Sequence, residues 1–337
     1  MKRTVAVILI IALILSGCTA CAAPEYQKYT YRFFGTFDTI ITLVAYTESE
    51  ASFQEYCTLA QSEMLRYHMI YDLYNPYNGV NNLYAVNQNA GVQATPAEPE
   101  LIDLLLQIRE WHVQYGDVAN PAMGAVLSLW HDSRTSGTFL PDDSALKAAS
   151  AHTDYNDVVI DQENGTIFFK DPSLKLDLGA VAKGYAAELV ANTLSQAGLT
   201  SFILNAGGNV ICGPEPLDDR TEWAVAIEDV DGLSTKMVIG ANNLSIVTSG
   251  DYQRYFEYEG KQYHHLIDPK TLYPAEYMRA VTILHPDSGF ADFLSTTAFL
   301  LPVDESIALI SSIPEAEGLW TTVEGEFGTE GFYELVR

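Results

Sequence analysis

LDLGAVAKGYAAE, residues 176–188, is the stretch from which the fold is read. An apolar, alternating segment (Leu174–Leu178) enters a glycine turn at Gly179, and the chain then turns helical over Ala180–Gln196, with Gly198 fitting the helix end. Just upstream, Val158–Asp161 and Thr166–Lys170 flank Asn164-Gly165, a hairpin signal. Downstream, Ser201–Leu204, Glu222–Ile227, Met237–Ile239, Leu244–Thr248, Tyr252–Tyr258 and Lys261–Ile267 read as successive strands. Further out, Tyr29–Tyr46 alternates as strands do, Ser49–Tyr71 and Glu98–Tyr115 have helical periodicity, and Met123–His131 and Asp142–Ala151 are shorter helices. Tyr74–Ala97, rich in Asn, Gly and Tyr, reads as a long ordered loop. Asp292–Leu301 and Glu305–Ser312 read as helices before a tail that returns to strand. Strands outnumber helices and many are joined by short turns, which favours an α+β fold over a parallel βαβ sheet. The expectation is mixed, largely antiparallel sheets with packed helices.

Composition narrows the partners. The chain is 48% apolar, so a large core is affordable and disorder is not expected. Net charge is −26, and so acidic a chain lacks the Lys/Arg excess that nucleic-acid binding by counterion release requires. It is equally unsuited to lying flat on an anionic membrane. A phosphate ligand on such a protein calls for a local cation, and a divalent metal supplies one.

The first residues read as an export signal. Lys2 and Arg3 precede the apolar run Val5–Leu15, which is shorter than the roughly 20 residues a bilayer span takes. Leu15-Ser16-Gly17-Cys18 looks like a bacterial lipobox, with Cys18 as the lipidated residue. The expected organisation is a signal peptide over 1–17, a lipidated tether over 18–28 and one domain over 29–337. The expected location is the outer face of the bacterial cytoplasmic membrane, or the periplasm. Cys21, Cys57 and Cys212 then remain, with no zinc spacing and no disulfide framework. Cys57 and Cys212 read as buried small hydrophobes.

Several residues could carry chemistry. Asp292 and Thr296 stand four apart, so on a helix they share a face and offer hard oxygens suited to Mg²⁺ or Ca²⁺. The plain alternative is a helix-capping Asp beside a buried Thr. Asp177-Leu178-Gly179-Ala180 leads into a helix bearing Lys183, where amides could face an anion or turn carbonyls a metal; a solvent-facing lysine is the alternative. His264-His265-Leu266-Ile267-Asp268-Pro269 sets a histidine beside a carboxylate, a pairing that can accept protons near neutral pH, or else a structural histidine with an Asx-turn. Adjacent histidines on a strand point to opposite faces, which argues against a joint metal site. Asn205-Ala206-Gly207-Gly208-Asn209 and Ser249-Gly250-Asp251-Tyr252 are glycine-containing strand ends that permit close backbone approach to a ligand, or are ordinary turns.

Taken together and in order, these motifs resemble the ApbE family of FAD:protein FMN transferases. The likeness rests on D-L-G-A-x-A-K-G-Y-A at Asp177–Ala186, N-A-G-G-N at Asn205–Asn209, S-G-D-Y at Ser249–Tyr252, H-H-x-I-D-P at His264–Pro269 and D-x-L-S-T at Asp292–Thr296. Phe34-Gly35-Thr36 resembles the family's N-terminal M-G-T element. The resemblance implies an ApbE-like, T-fold-related architecture with the site in a cleft. It implies Mg²⁺ held by Asp292, Thr296 and the main-chain oxygen of Ala180. It implies FAD as substrate, lying along Phe34, Gly35, Thr36, Asp177, Lys183, Asn205, Gly207, Gly208, Ser249, Gly250 and His265. His265 would assist deprotonation of an acceptor threonine, with Asp268 organising its loop. FMN would pass to that threonine and AMP would leave. The implied acceptors are exported flavoprotein subunits of membrane electron-transfer systems.

The chain departs from the family pattern at four places. Leu272 follows Thr271 where a glycine is usual, Glu188 stands for an Asp, Phe34 for a Met, and Asn120-Pro121-Ala122 for D-P-T. Two alternatives stand beside this: an FAD pyrophosphatase, using the same ion and pyrophosphate site to yield FMN and AMP, and a non-enzymatic flavin-binding lipoprotein, which would keep the glycine-rich cradle but tolerate loss of Asp292 or His265.

Overall fold

The alternating segment near the start folds as a hairpin, β1 (Gln27–Thr36) and β2 (Thr39–Thr47), in the computed structural model, which describes residues 25–232 and 234–337. Gln27 and Lys28, which the sequence reading gives to the tether, thus open a strand. Cys18, the signal peptide and the rest of the tether up to residue 24 lie outside the described residues.

The centre of the molecule is one open eight-stranded sheet, antiparallel at every pairing. Along the chain its members are β1, β2, β6 (Phe202–Ala206), β7 (Asn209–Cys212), β10 (Leu244–Gly250), β13 (Ala280–His285), β14 (Glu317–Thr321) and β15 (Glu326–Gly328), and they lie side by side in that order. The remaining strands form satellites: β3 (Thr95–Pro96) with β5 (Thr166–Phe169) and β4 (Val158–Asp161), β8 (Trp223–Glu228) with β9 (Thr235–Ala241), and β11 (Tyr255–Tyr258) with β12 (Lys261–His264). The α+β expectation holds.

Both faces of the central strands β6, β7, β10, β13 and β14 are largely buried, which is why these read as apolar runs rather than clean alternations, whereas the edge strands β1 and β15 are mostly exposed. Leu204, Ile211, Val247, Val281, Ile283 and Trp320 point into a large core built with helices. Those helices include α1 (Glu50–Tyr71), α2 (Leu83–Gln88), α3 (Pro99–Tyr115), α6 (Ala182–Gln196), α7 (Ser288–Phe299) and α8 (Val303–Ser311). The neighbours one residue on (Val210, Cys212, Ile246, Leu284, Leu319) point to the other face, where the β8–β9 hairpin and α9 (Glu330–Glu334) cover them. A third cluster joins α4 (Gly124–Ser136) and α5 (Asp143–Ala149) to the β11–β12 hairpin through Val126, Trp130, Leu146, Phe256 and Ile267. Cys57 and Cys212 are buried, and burial pushes their thiols up to about 11 and about 12, so both are inert at neutral pH.

Four expectations are corrected. Leu174–Leu178 is extended and largely buried but is not a sheet strand. Its backbone is satisfied by a side chain and loops instead: Leu176 N donates to Asn87 Oδ1 (2.8 Å), Asn87 Nδ2 donates to Leu176 O (2.9 Å), and Asp177 N donates to Pro121 O (2.8 Å). The helix after it starts at Ala182, because Val181 and Ala182 N–H groups both turn back to Leu178 O. The Tyr74–Ala97 loop contains α2, capped by Asn82 Oδ1 on Ala85 N. Finally, β12 ends at His264 rather than Ile267, since the His264 ring turns back onto its own loop.

Candidate active site

Helix α7 is buried on every side, including at its polar residues. Asp287 caps it by accepting from Phe290 N (2.9 Å), so Asp292 is not the capping residue. That leaves a carboxylate 3% exposed in the middle of a core helix, a placement that needs partners. Asp292 Oδ2 accepts from Gly184 N at 2.8 Å, and Lys183 Nζ stands 3.8 Å from Oδ1. One turn on, Thr296 Oγ1 donates to Ala180 O at 3.3 Å. The three oxygens expected from sequence therefore converge, although Ala180 and Thr296 are 116 residues apart. A carboxylate, a hydroxyl and a carbonyl form a hard-oxygen set that fits Mg²⁺ rather than zinc.

Gly184 makes this approach possible. A Cβ there would meet Ser288 O at 2.4 Å and Asp292 Cβ at 2.5 Å. Ser295, next along the helix, donates to Asp292 O (3.0 Å) and pairs with Ser249 Oγ of β10 (2.9 Å), which fixes the helix against the sheet.

These groups open onto a cleft of roughly 860 Å³, within the range of small-ligand sites. Asp177, Ala180, Lys183, Asn205, Gly207, Gly208, Ser249, Gly250, His265, Asp292 and Thr296 all line it. Gly207 sits at φ 60° in the β6–β7 turn, and a Cβ there would fall 2.0 Å from Thr39 Oγ1, so only glycine fits. Lys183 also donates to Asn209 Oδ1 at 3.3 Å, which ties it to that turn. Phe34, Gly35, Thr36 and Asp268 are not among the lining residues. Phe34 is exposed on the bulged end of β1, beside Gly35, and Thr36 is buried below it. Asp268 is buried in the following loop, where it accepts from Lys270 N (2.8 Å) and the Tyr277 hydroxyl (3.0 Å). It shapes the loop and does not touch the cleft.

The two histidines have separate tasks. His264 lies among core residues, its Nε2 bonded to Ala275 O (2.9 Å) and its Nδ1 accepting from Leu266 N (3.3 Å). That pairing fixes one neutral tautomer, and burial holds its pKa down. His265 faces the cleft, and its Nδ1 is buried with no partner among the described residues. Its pKa is pushed down to about 3, chiefly by burial and then by the charges of Arg254, Arg134, His264 and Lys183. Asp177 shows the converse: burial raises its pKa although its Oδ1 accepts from Gly179 N at 2.8 Å.

Sequence reasoning missed part of the lining. Tyr74 stacks on His131 with ring centroids 4.6 Å apart, and Arg134 and Arg254 join them. Nothing in the periodicity of α4 distinguishes the positions facing the cleft, because its other face packs on the third cluster. Among the described residues no group of three His, Cys, Asp or Glu side chains could hold a metal. The Ala180–Asp292–Thr296 set has only one such side chain.

An open antiparallel sheet with all but the last of its helices away from the β8–β9 face, and a cleft lined by its β6–β7 turn, is an ApbE-type architecture. The chain belongs to the ApbE family, whose sequence profile matches residues 37–320. Among curated proteins it is 30% identical over 331 residues to the FAD:protein FMN transferase of Treponema pallidum, covering 92% of this chain and 89% of that one. It is 29% identical over 256 residues to a Klebsiella pneumoniae FAD:protein FMN transferase, covering 74% and 78%. The relatives so named are transferases. Among solved structures, the ApbE protein of Thermotoga maritima superposes with a TM-score of 0.81 at 25% identity, covering 92% of this chain and all of that one. The flavin transferase ApbE of Vibrio cholerae superposes at 0.76 with 22% identity and the same coverage of this chain, a likeness of fold.

Proposed function

We propose that this chain is a Mg²⁺-dependent FAD:protein FMN transferase that attaches FMN through a phosphoester to a threonine of an exported protein and releases AMP. The observation that supports it best is the convergence, in one cleft, of the Ala180–Asp292–Thr296 oxygens, Lys183 and His265.

Mg²⁺ would be held by Asp292, Thr296 and the Ala180 carbonyl, and would supply charge stabilisation at pyrophosphate oxygens. Lys183 places a second positive charge at the same wall. His265 is neutral in the free protein and can take a proton from the acceptor hydroxyl. The threonine oxygen then bonds to the FMN phosphorus, the pyrophosphate P–O bond breaks, and AMP departs with the electron pair. A bound pyrophosphate brings negative charge that offsets the cations around His265, so the imidazole becomes more basic when substrate is present. Asp268 acts on the loop alone. Alignment and charge stabilisation carry the rate, as in other phosphoryl transfers.

Lipidation at Cys18 would tether the domain to the membrane surface near flavoprotein subunits of electron-transfer systems. Cys18→Ser should then release the chain to the soluble fraction.

The test is in-gel flavin fluorescence on an acceptor incubated with FAD, Mg²⁺ and the mature protein. Asp292→Asn and His265→Ala should both abolish labelling, and His265→Ala should still bind FAD. Labelling at the wild-type rate in His265→Ala would remove the base from the scheme. Free FMN accumulating without an acceptor would identify water as the nucleophile.

A further inference from the structure

The tip of the β1–β2 hairpin is held by groups outside the hairpin. β1 ends at Thr36 and β2 begins at Thr39, so Phe37 and Asp38 make a two-residue turn, and both are left-handed, at φ 52° and 51°. Such turns ordinarily take Asn-Gly, because a residue bearing a Cβ is crowded at positive φ. The ladder below gives little help, since its register shifts between Phe33 and Thr36. A strained turn on an interrupted ladder persists when its surroundings over-determine it. Two contacts do so here. Arg254 Nη2 donates to Phe37 O at 2.7 Å, and the Phe37 N–H, which the turn leaves outside the β1–β2 pairing, donates to His68 Nδ1 at 3.3 Å. The Phe37 ring stands edge-on to the His68 ring, with centroids 5.5 Å apart.

His68, in the last turn of α1, has a second neighbour. With Nδ1 accepting, the ring proton is on Nε2, which faces the Tyr77 hydroxyl at 3.5 Å. Tyr77 Oη donates in turn to Asp72 Oδ2 at 2.7 Å. The other oxygen of Asp72 accepts from Tyr74 N (2.6 Å) and Asn75 N (3.2 Å), which fixes the loop that carries the Tyr74 ring onto His131. One imidazole thus joins the hairpin tip to the loop after α1. Phe37, Asp38, Thr39, His68, Asp72 and Tyr74 all line the cleft. Thr39, at the foot of the turn, also stands against Gly207, so a shift of the tip is felt in the β6–β7 turn.

We propose that His68 is a positioning residue for the flavin-transfer reaction: through its two nitrogens it fastens the β1–β2 tip to the Tyr74 loop and so fixes the distance between two walls of the FAD cleft. It touches no reacting atom in this role. The effect on FAD rests on the function proposed above, whereas the fastening of the tip does not, because its partners are all protein. The role belongs to the nitrogens and not to the bulk of the ring, which separates it from ordinary packing.

The experiment compares His68→Phe, which keeps a ring and loses both nitrogens, with His68→Asn, whose side-chain oxygen stands near the place of Nδ1 and can accept from Phe37 N. Hydrogen exchange at the Phe37 amide is read on the mature protein without FAD. The KM for FAD and kcat are read with FAD, Mg²⁺ and an acceptor. His68→Phe should speed exchange of that amide about three- to tenfold and raise the KM for FAD by a similar factor, as loss of one hydrogen bond gives, with kcat near wild type. His68→Asn should recover both. Amides of the central strands β7, β10 and β13 should exchange as in the wild type, which reads the fold of each variant. The opposite order, His68→Phe like the wild type and His68→Asn defective, is what packing alone gives and would overturn the proposal; so would equal loss in both variants. A wild-type KM for FAD in a His68→Phe protein whose Phe37 amide has lost protection would also overturn it, by detaching the tip from the ligand wall. Failure of the wild type to bind FAD, with the Phe37 amide behaving as stated, would overturn the flavin reading and leave the fastening standing.

Discussion

Gly184→Ala tests the geometry on which the site depends. The new methyl would be 2.4 Å from Ser288 O, 2.5 Å from Asp292 Cβ and 3.0 Å from Asn209 Nδ2. The first two atoms are main chain or anchored directly to it, so neither can swing away. Helices α6 and α7 would have to separate. Alanine gains at most about 1 kcal/mol of helix propensity over glycine. Against this, overpacking costs about 1–3 kcal/mol. Separation also stretches the Gly184 N to Asp292 Oδ2 bond, now 2.8 Å, and a hydrogen bond to a charged group is worth about 1.5–3 kcal/mol. The net expectation is a loss of about 2–4 kcal/mol. Urea unfolding would read it as a lowered midpoint with unchanged slope. Mg²⁺ titration should show affinity at least about tenfold weaker, because Asp292 lies on α7 and Ala180 in the turn that leads into α6. An unchanged or raised midpoint, as propensity alone would give, would refute the close crossing.

Three other expectations follow from particular side chains. His265 has a folded-state pKa of about 3, below the ordinary value near 6.5, so the unfolded chain takes up the proton first as pH falls. Stability should therefore drop from about pH 6.5 downward, at most about 1.4 kcal/mol per pH unit for this group, and His265→Gln should flatten that slope in urea titrations at pH 7.5 and 5; an identical slope would count against its burial. Leu272 stands at φ 64° while its carbonyl accepts from Trp130 Nε1 (2.9 Å), so Leu272→Gly should be about 1 kcal/mol more stable than Leu272→Ala by thermal unfolding. Equal midpoints would mean that the left-handed backbone carries no strain. Asp268→Asn weakens the acceptor of Lys270 N and Tyr277 Oη and should lower kcat several-fold with little effect on FAD affinity; loss of FAD binding would place Asp268 in the cleft after all.

The sequence by itself determined the α+β class, the strands with their turns, and the short motifs that carry chemistry. Period-2 alternation and turn residues are local signals, so hairpins such as Val158–Phe169 were legible. Local spacing placed Asp292 and Thr296 on one face, but the plain reading of a capping Asp was equally open. Tertiary structure closed it, by capping α7 with Asp287 and bringing Ala180 against Thr296 from 116 residues away. The same holds for the supposed strand at Leu174–Leu178, whose hydrogen bonds go to Asn87 and Pro121 instead of a ladder. Likewise, Arg134 was silent in sequence because a cation on a helix face is ordinarily solvated. Only the packing of α4 against the loop after His265 puts that charge into the cleft wall, since burial and the field of distant groups are properties of the packed chain and not of any window along it.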